Sequence, residues 1–234
     1  YGPNVHDPRS GEILESHIGW YHNIMSLLRN WYLIQTAAVD PAARKKKFDD
    51  KLMGELIRFV SSHEVGHTLG LRHNMGASSA TPVEKLRDKD YQEKNGHTSS
   101  IMDYARFNYV AQPEDGVTSL FPRIGDYDKW AIKWGYSYFE DAKNEAQEKA
   151  ILNEMTKEAY KNNRLWFGTE TSPYDPRYQT EDIGDNAMRA SEYGIKNLRR
   201  ILPNLLEWSK ENGESYAELE ELYGALTGQF RRYM

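Results

Sequence analysis

The sequence predicts an α+β fold that is predominantly helical. Strand-like alternation occurs once, near the N-terminus. Helical spacing of apolar residues recurs from residue 22 onward, and a stretch rich in Gly, Ser, Pro and Asn, 75 to 125, separates the early helices from the later ones. With 234 residues the chain makes one large domain or a domain and a half, enough to bury a real core. A composition of 39% hydrophobic and 28% charged residues, with 16 Tyr and 6 Trp, is that of a globular chain rather than a disordered one.

Residues 4 to 20 read as a β-hairpin. The cluster Asp7-Pro8-Arg9-Ser10-Gly11 supplies the turn. After it Leu14, Ser16, Ile18 and Trp20 alternate with Ile13, Glu15, His17 and Gly19, the period of a strand with one better-buried face. Ile24, Leu27, Leu28, Trp31 and Ile34 then recur at three and four, a helix over 22 to 39 that Asp40-Pro41 ends. The basic run Arg44 to Lys47 is followed at once by acidic residues, so it reads as a solvated connector rather than an anion-docking patch. Asp49 or Asp50 is a good N-cap for the next helix, which carries Leu52, Leu56, Phe59, Val60, His63 and His67 and should stop at Gly70.

Residues 75 to 125 read as long loops with short helical turns, an arrangement that compact domains tend to keep for function. Helical patterns return over 127 to 139 and, with a polar character, over 140 to 163. An irregular stretch covers 169 to 186, and two helices follow over 187 to 209 and 214 to 231, interrupted at Pro203 and Gly213. In the irregular stretch Asp175, Glu181, Asp182 and Asp185 offer oxygens to Ca²⁺. There is no EF-hand spacing, however, and capping and loop hydrogen bonds account for them better, with Asp185 as N-cap of the next helix.

Several classes of function are disfavoured. A net charge of −5 gives no reason to expect a nucleic-acid or anionic-membrane partner. No apolar run approaches the roughly 20 residues of a membrane span. With no cysteine, any metal site must draw on His, Asp, Glu or Tyr. The chain starts at Tyr1 without an initiator Met or signal peptide and reads as a piece of a longer polypeptide.

The segment HEVGHTLGLRHN, residues 63 to 74, carries the chemistry. His63 and His67 are four apart on a helix, so one face presents both imidazoles to a single cation. Gly70 tolerates φ > 0, which lets the helix stop and the chain turn back, and His73 then reaches the same metal. Zn²⁺ suits imidazole nitrogen, and a catalytic site holds three protein ligands with one open position. Glu64 stands about 100° round the helix from His63, near enough to take a proton from water acidified by the metal and return it to a leaving amine. A bare HExxH arises by chance in well under roughly 1% of chains this long, and the added Gly and His lower that by about a thousandfold, so core packing is the weaker reading of these histidines. His6, His17, His22 and His97 carry no such pattern and read as surface or strand residues.

This segment and the downstream SIMDY, residues 100 to 104, resemble the metzincin clan of zinc metallopeptidases. The resemblance implies that His63, His67 and His73 bind Zn²⁺, that Met102 forms a Met-turn floor beneath them, and that Tyr104 borders the metal and stabilises the developing oxyanion. Further segments, DPRSGEI, YDKWAIKWGY and DPRYQTEDIGD, are similar to large bacterial cell-envelope metalloproteases described as Met-zincins. They imply an extracytoplasmic location: periplasmic, cell-envelope or secreted. On this likeness residues 1–139 form the later part of a metzincin-like catalytic domain, with residual hairpin, zinc helix and Met-turn. Residues 140–234 form a helical extension packed on it. Earlier strands would lie before Tyr1. The hairpin edge would receive an extended peptide substrate by β-augmentation and, left open, would favour self-association. The implied activity is a zinc endopeptidase acting on protein or peptide. The alternative is a non-catalytic envelope binding module that keeps zinc as scaffold. A structural site, though, is usually closed by a fourth protein ligand and has no use for Glu64.

Overall fold

Helices account for most of the chain in the computed structural model, which describes residues 3–169, 174–213 and 215–234. A two-stranded antiparallel hairpin, β1 (Asn4–His6) and β2 (Ile13–Ser16), precedes the α-helices. These are α1 (Ile24–Thr36), α2 (Asp50–Thr68), α3 (Lys89–Asn95), α4 (Asp126–Tyr136), α5 (Glu145–Ala159), α6 (Ala187–Ile201), α7 (Leu205–Ser209) and α8 (Ala217–Arg232). The fold is α+β and mostly helical, as expected. Parts of the irregular stretch at 169 to 186 and of the last helix fall at residues 170–173 and 214, outside the described residues. No helix among the described residues is long and apolar enough to cross a membrane.

The hairpin forms where expected, but it is shorter and its apolar face is open. Its turn is closed by Asp7, whose carboxylate accepts from the Arg9 N–H, and by Gly11 at φ +78°. Strand pairing ends at Ser16, and Val5, Leu14, Ile18 and Trp20 are exposed. The alternation predicted a buried face, but among the described residues no second layer covers those side chains. Ile13 is the residue that docks instead, with its Cδ1 against the Gly70 turn, while Asn4 donates to the His67 carbonyl at 3.2 Å. The hairpin therefore leans on the end of α2 through a few contacts.

One main cluster of buried side chains runs through the helical body. It joins Leu28 and Leu33 of α1, Leu56 of α2, Phe107 of the long loop, Ile201 of α6 and Leu222 of α8. Tyr32 sits at its centre, edge-on to Phe48 and Phe107 and stacked on Phe121. Beside it Arg29 pairs with Glu218, and Asn30 donates to Glu221 at 2.5 Å, so α1 is tied to α8 by charge as well as by apolar contact. The connector after α1 is held locally. Arg44 donates to the carbonyls of Ala37 and Ala38, and Lys45 and Lys46 pair with Asp49 and Glu211, which fits a connector rather than a docking patch.

One expectation needs correction in the second half. The N-cap of α6 is Asn186, which accepts from the Arg189 N–H at 3.0 Å; Asp185 instead accepts from the Val83 N–H at 2.8 Å. The interruption expected at Pro203 is present: the stretch 187 to 209 divides into α6, a 3-10 turn at Leu202–Asn204 and α7, because Pro203 has no N–H to continue the ladder.

Candidate metal centre

The helix α2 begins with Asp49, whose side chain accepts from the Leu52 N–H at 2.9 Å. Its buried residues are Leu52, Leu56, Phe59, His63 and Gly66, a stripe with steps of three and four. His63 thus stands where the apolar stripe ends, and His67 follows one turn on, half-buried. The helix is closed by a Schellman turn: Leu71 N–H donates to Gly66 C=O at 3.0 Å and Gly70 N–H to His67 C=O at 2.9 Å, with Gly70 at φ +84°. That reversal carries His73 back toward the helix.

Asn74, the next residue, holds the returning chain. It is fully buried, and its N–H donates to the Met102 carbonyl at 3.1 Å. Its side chain donates to Trp166 C=O and accepts from Gly168 N–H, both at 2.9 Å. The final N of the quoted segment is therefore structural support for the third histidine, a role the spacing alone did not reveal.

Beneath the histidines runs the loop 97–104, irregular but enclosed. Asp128 of α4 organises it, accepting from Ser100 Oγ at 2.6 Å, Ile101 N–H at 2.8 Å and Gly125 N–H at 2.7 Å. Burial pushes its carboxyl pKa up against those hydrogen bonds. Gly125 must be glycine, since a Cβ there would lie 2.0 Å from the Ser99 carbonyl oxygen. Met102, fully buried, presses so closely on α2 that a Cβ on Gly66 would fall 2.3 Å from its sulfur. The only sequence signal for Asp128 was its place in YDKWAIKWGY, where it serves as the third residue of a helix and reaches back to the N-cap.

His63, His67 and His73 come together, with one nitrogen of each within 4.8 Å of the others, and the three could hold a metal ion. The hydrogen bonds of the first two suit one. His63 Nδ1 meets the Ile101 carbonyl at 2.8 Å and His67 Nδ1 meets the Leu71 carbonyl at 2.9 Å. An imidazole nitrogen can meet a carbonyl only as a donor, so each Nδ1 carries hydrogen and Nε2 is the nitrogen left to bind a metal. Burial lowers the His63 pKa to about 4, which keeps that ring neutral at pH 7. His67 Nε2 and His73 Nε2 are 3.1 Å apart. Two nitrogens on one tetrahedral zinc lie roughly 3.4 Å apart at bond lengths of about 2.0–2.1 Å, so the donor set fits.

Tyr104 and Glu64 complete the surroundings. The Tyr104 ring lies 4.5 Å from that of His73 and 5.5 Å from that of His63, centroid to centroid. Arg106, at φ +55°, stacks on it at 4.7 Å and on Trp31 at 4.0 Å. Glu64, His67, His73 and Tyr104 line one cleft of about 600 Å³, with Asn4 and His6 of β1 on its wall. His6 thus reaches the cleft, whereas His17 and His22 are exposed elsewhere. His97 was expected at the surface or in a strand, but it is fully buried in the loop under the site, where its Nε2 meets the Arg106 carbonyl at 3.1 Å.

Residues 45–234 match the family model described as Met-zincin. No curated protein and no solved structure matches the chain. Because the family match starts before the metal helix and runs to the last residue, taking in the histidine trio and Met102, the chain belongs to the Met-zincin family.

Proposed function

We propose that the chain is the catalytic part of a zinc-dependent endopeptidase. The observation that carries this reading is the meeting of His63, His67 and His73 within 4.8 Å of one another, with Glu64 beside His67 and His73 at one open cleft. His63, His67 and His73 would hold the metal, with Nδ1 of the first two engaged by carbonyls and Nε2 left to bind it. Bound zinc supplies Lewis acidity, polarising a peptide carbonyl and acidifying water. Glu64 takes the proton from the attacking water and hands it to the departing amine nitrogen. Tyr104, held between Arg106 and His73, donates a hydrogen bond to the carbonyl oxygen as its charge grows. The substrate lies along β1, whose Asn4 and His6 border the cleft, as an added strand.

The alternative, a binding module with zinc as scaffold, gives Glu64 no task. Substituting Glu64→Ala separates the two readings. Stoichiometric zinc by atomic absorption with casein hydrolysis reduced about 10²- to 10⁴-fold supports the peptidase. Unchanged, hydroxamate-sensitive cleavage would remove Glu64 from the mechanism.

A further inference from the structure

Asp103, next to Met102, is 1% exposed. Its Oδ2 accepts from the Ser78 N–H at 2.7 Å and the Thr98 hydroxyl at 3.2 Å, while its Oδ1 is buried without a hydrogen-bond partner. Asp182, far along the chain, likewise has a buried Oδ1 without a partner. Ser78 links the two, since its hydroxyl donates to the Asp182 carbonyl at 3.4 Å. Next to Asp182, the Glu181 N–H donates to Tyr104 C=O at 3.1 Å, so the two segments run side by side. A third buried oxygen without a partner is Thr81 Oγ1, on a residue whose N–H donates to Ser78 C=O at 3.1 Å and whose carbonyl accepts from Asp185 N–H at 3.0 Å.

Among the described residues no Lys or Arg pairs with either carboxylate; Arg106 and Arg232 beside them are both taken by Glu181. Burial raises both carboxyl pKa values, that of Asp182 to about 6, and the Asp182 charge pushes Asp103 higher still. A buried and a half-buried carboxylate left in this state are costly, and a shared proton would still leave Thr81 without a partner. A donor set made only of oxygens and carrying two negative charges suits a hard divalent cation and not zinc. Calcium tolerates irregular coordination completed by water, where magnesium demands a near-ideal octahedron.

We propose that Asp103, Asp182 and Thr81 form a calcium site, separate from the histidine trio, that pins the Met-turn to the loop around residues 181–185. It differs from the acidic quartet legible in sequence. Asp175 and Asp185 are spent on backbone N–H groups and Glu181 on arginines, while Asp103 comes from the other side.

The test is calcium titration of the zinc-loaded chain in chelator-treated buffer, read by isothermal calorimetry and thermal melting. The expected result is one calcium per chain and a Tm rise of roughly 5–10 °C at calcium about a hundredfold above its Kd. Asp182→Asn, at a half-buried position, should abolish both, with Asp103→Asn as the second variant. His67→Ala should lose zinc and keep calcium uptake, which separates this site from the peptidase reading. No uptake at millimolar calcium, or uptake that persists in Asp182→Asn, overturns the proposal. So does a Tm that responds to pH near 6 and not to calcium, which would assign a shared proton.

Discussion

The hairpin β1–β2 and the loop 97–104 both flank the histidines, and they are opposites. The hairpin has regular backbone pairing, yet Val5, Leu14 and Trp20 face solvent. The loop has no regular structure, yet His97 to Ser100, Met102 and Asp103 are almost wholly enclosed. Its backbone groups are satisfied by partners brought from elsewhere, chiefly the Asp128 carboxylate and the Asn74 backbone N–H. The site is held stiff from below by an irregular segment, and the regular element forms its open wall. A buried loop must find partners for its backbone polar groups, and each partner pins it.

The largest effect should come from Asp128→Ala. It leaves the Ile101 and Gly125 N–H groups buried without acceptors and removes the Ser100 contact, a loss of roughly 3–5 kcal/mol. Urea unfolding should show that loss, and zinc affinity should fall with it, because the Ile101 carbonyl orients His63. A variant with wild-type stability and zinc binding would break the comparison at its strongest point.

Acid sensitivity comes next. Burial holds His97 at a pKa of about 4, below its ordinary 6.5. The folded value is the lower one, so the unfolded chain takes up the proton first as pH falls. The stabilisation is full above about 6.5 and is lost through about 4, for roughly 3 kcal/mol in all. Unfolding free energies measured from pH 7.5 to 4 should fall less steeply in His97→Gln than in the parent; parallel curves would clear His97 of the effect.

The two glycines of α2 sharpen the contrast. A Cβ at Gly54 meets nothing within 4 Å, so Gly54→Ala should gain up to about 1 kcal/mol from helix propensity. A Cβ at Gly66 lies 2.3 Å from the Met102 sulfur, and Met102, fully buried, has nowhere to move. Overpacking costs typically about 1–3 kcal/mol, which outweighs the same helical gain, so Gly66→Ala should lose about 1 kcal/mol and weaken zinc binding. Equal shifts in Tm for the two variants would deny that Met102 supports the metal face.

The sequence made the metal helix legible because its determinants are local: Asp49 caps it, His63 and His67 share a face four residues apart, and Gly70 permits the Schellman turn. What it concealed acts at long range. Asp128 works on a segment some 27 residues before it, and Asn74 reaches across to Trp166 and Gly168. The run of Ser, Asn and Gly that reads as long loop is largely interior over 97–103, because burial of polar residues depends on partners that no periodicity announces. His97 was misjudged for that reason. The hairpin was misjudged in the other direction, since alternation shows which side chains share a face and not whether anything lies against it.

The smallest effect belongs to that face. Leu14 is 59% exposed on β2 and carries no core contact, so Leu14→Ser should change stability by no more than about 0.5 kcal/mol. If the open edge drives self-association, the same substitution should shift sedimentation toward the monomer, because it removes apolar area from the surface that would pair. A loss of more than 2 kcal/mol would show that something covers Leu14 in solution. The hairpin would then stand with the loop as a buried support, and the asymmetry between the two walls of the cleft would disappear.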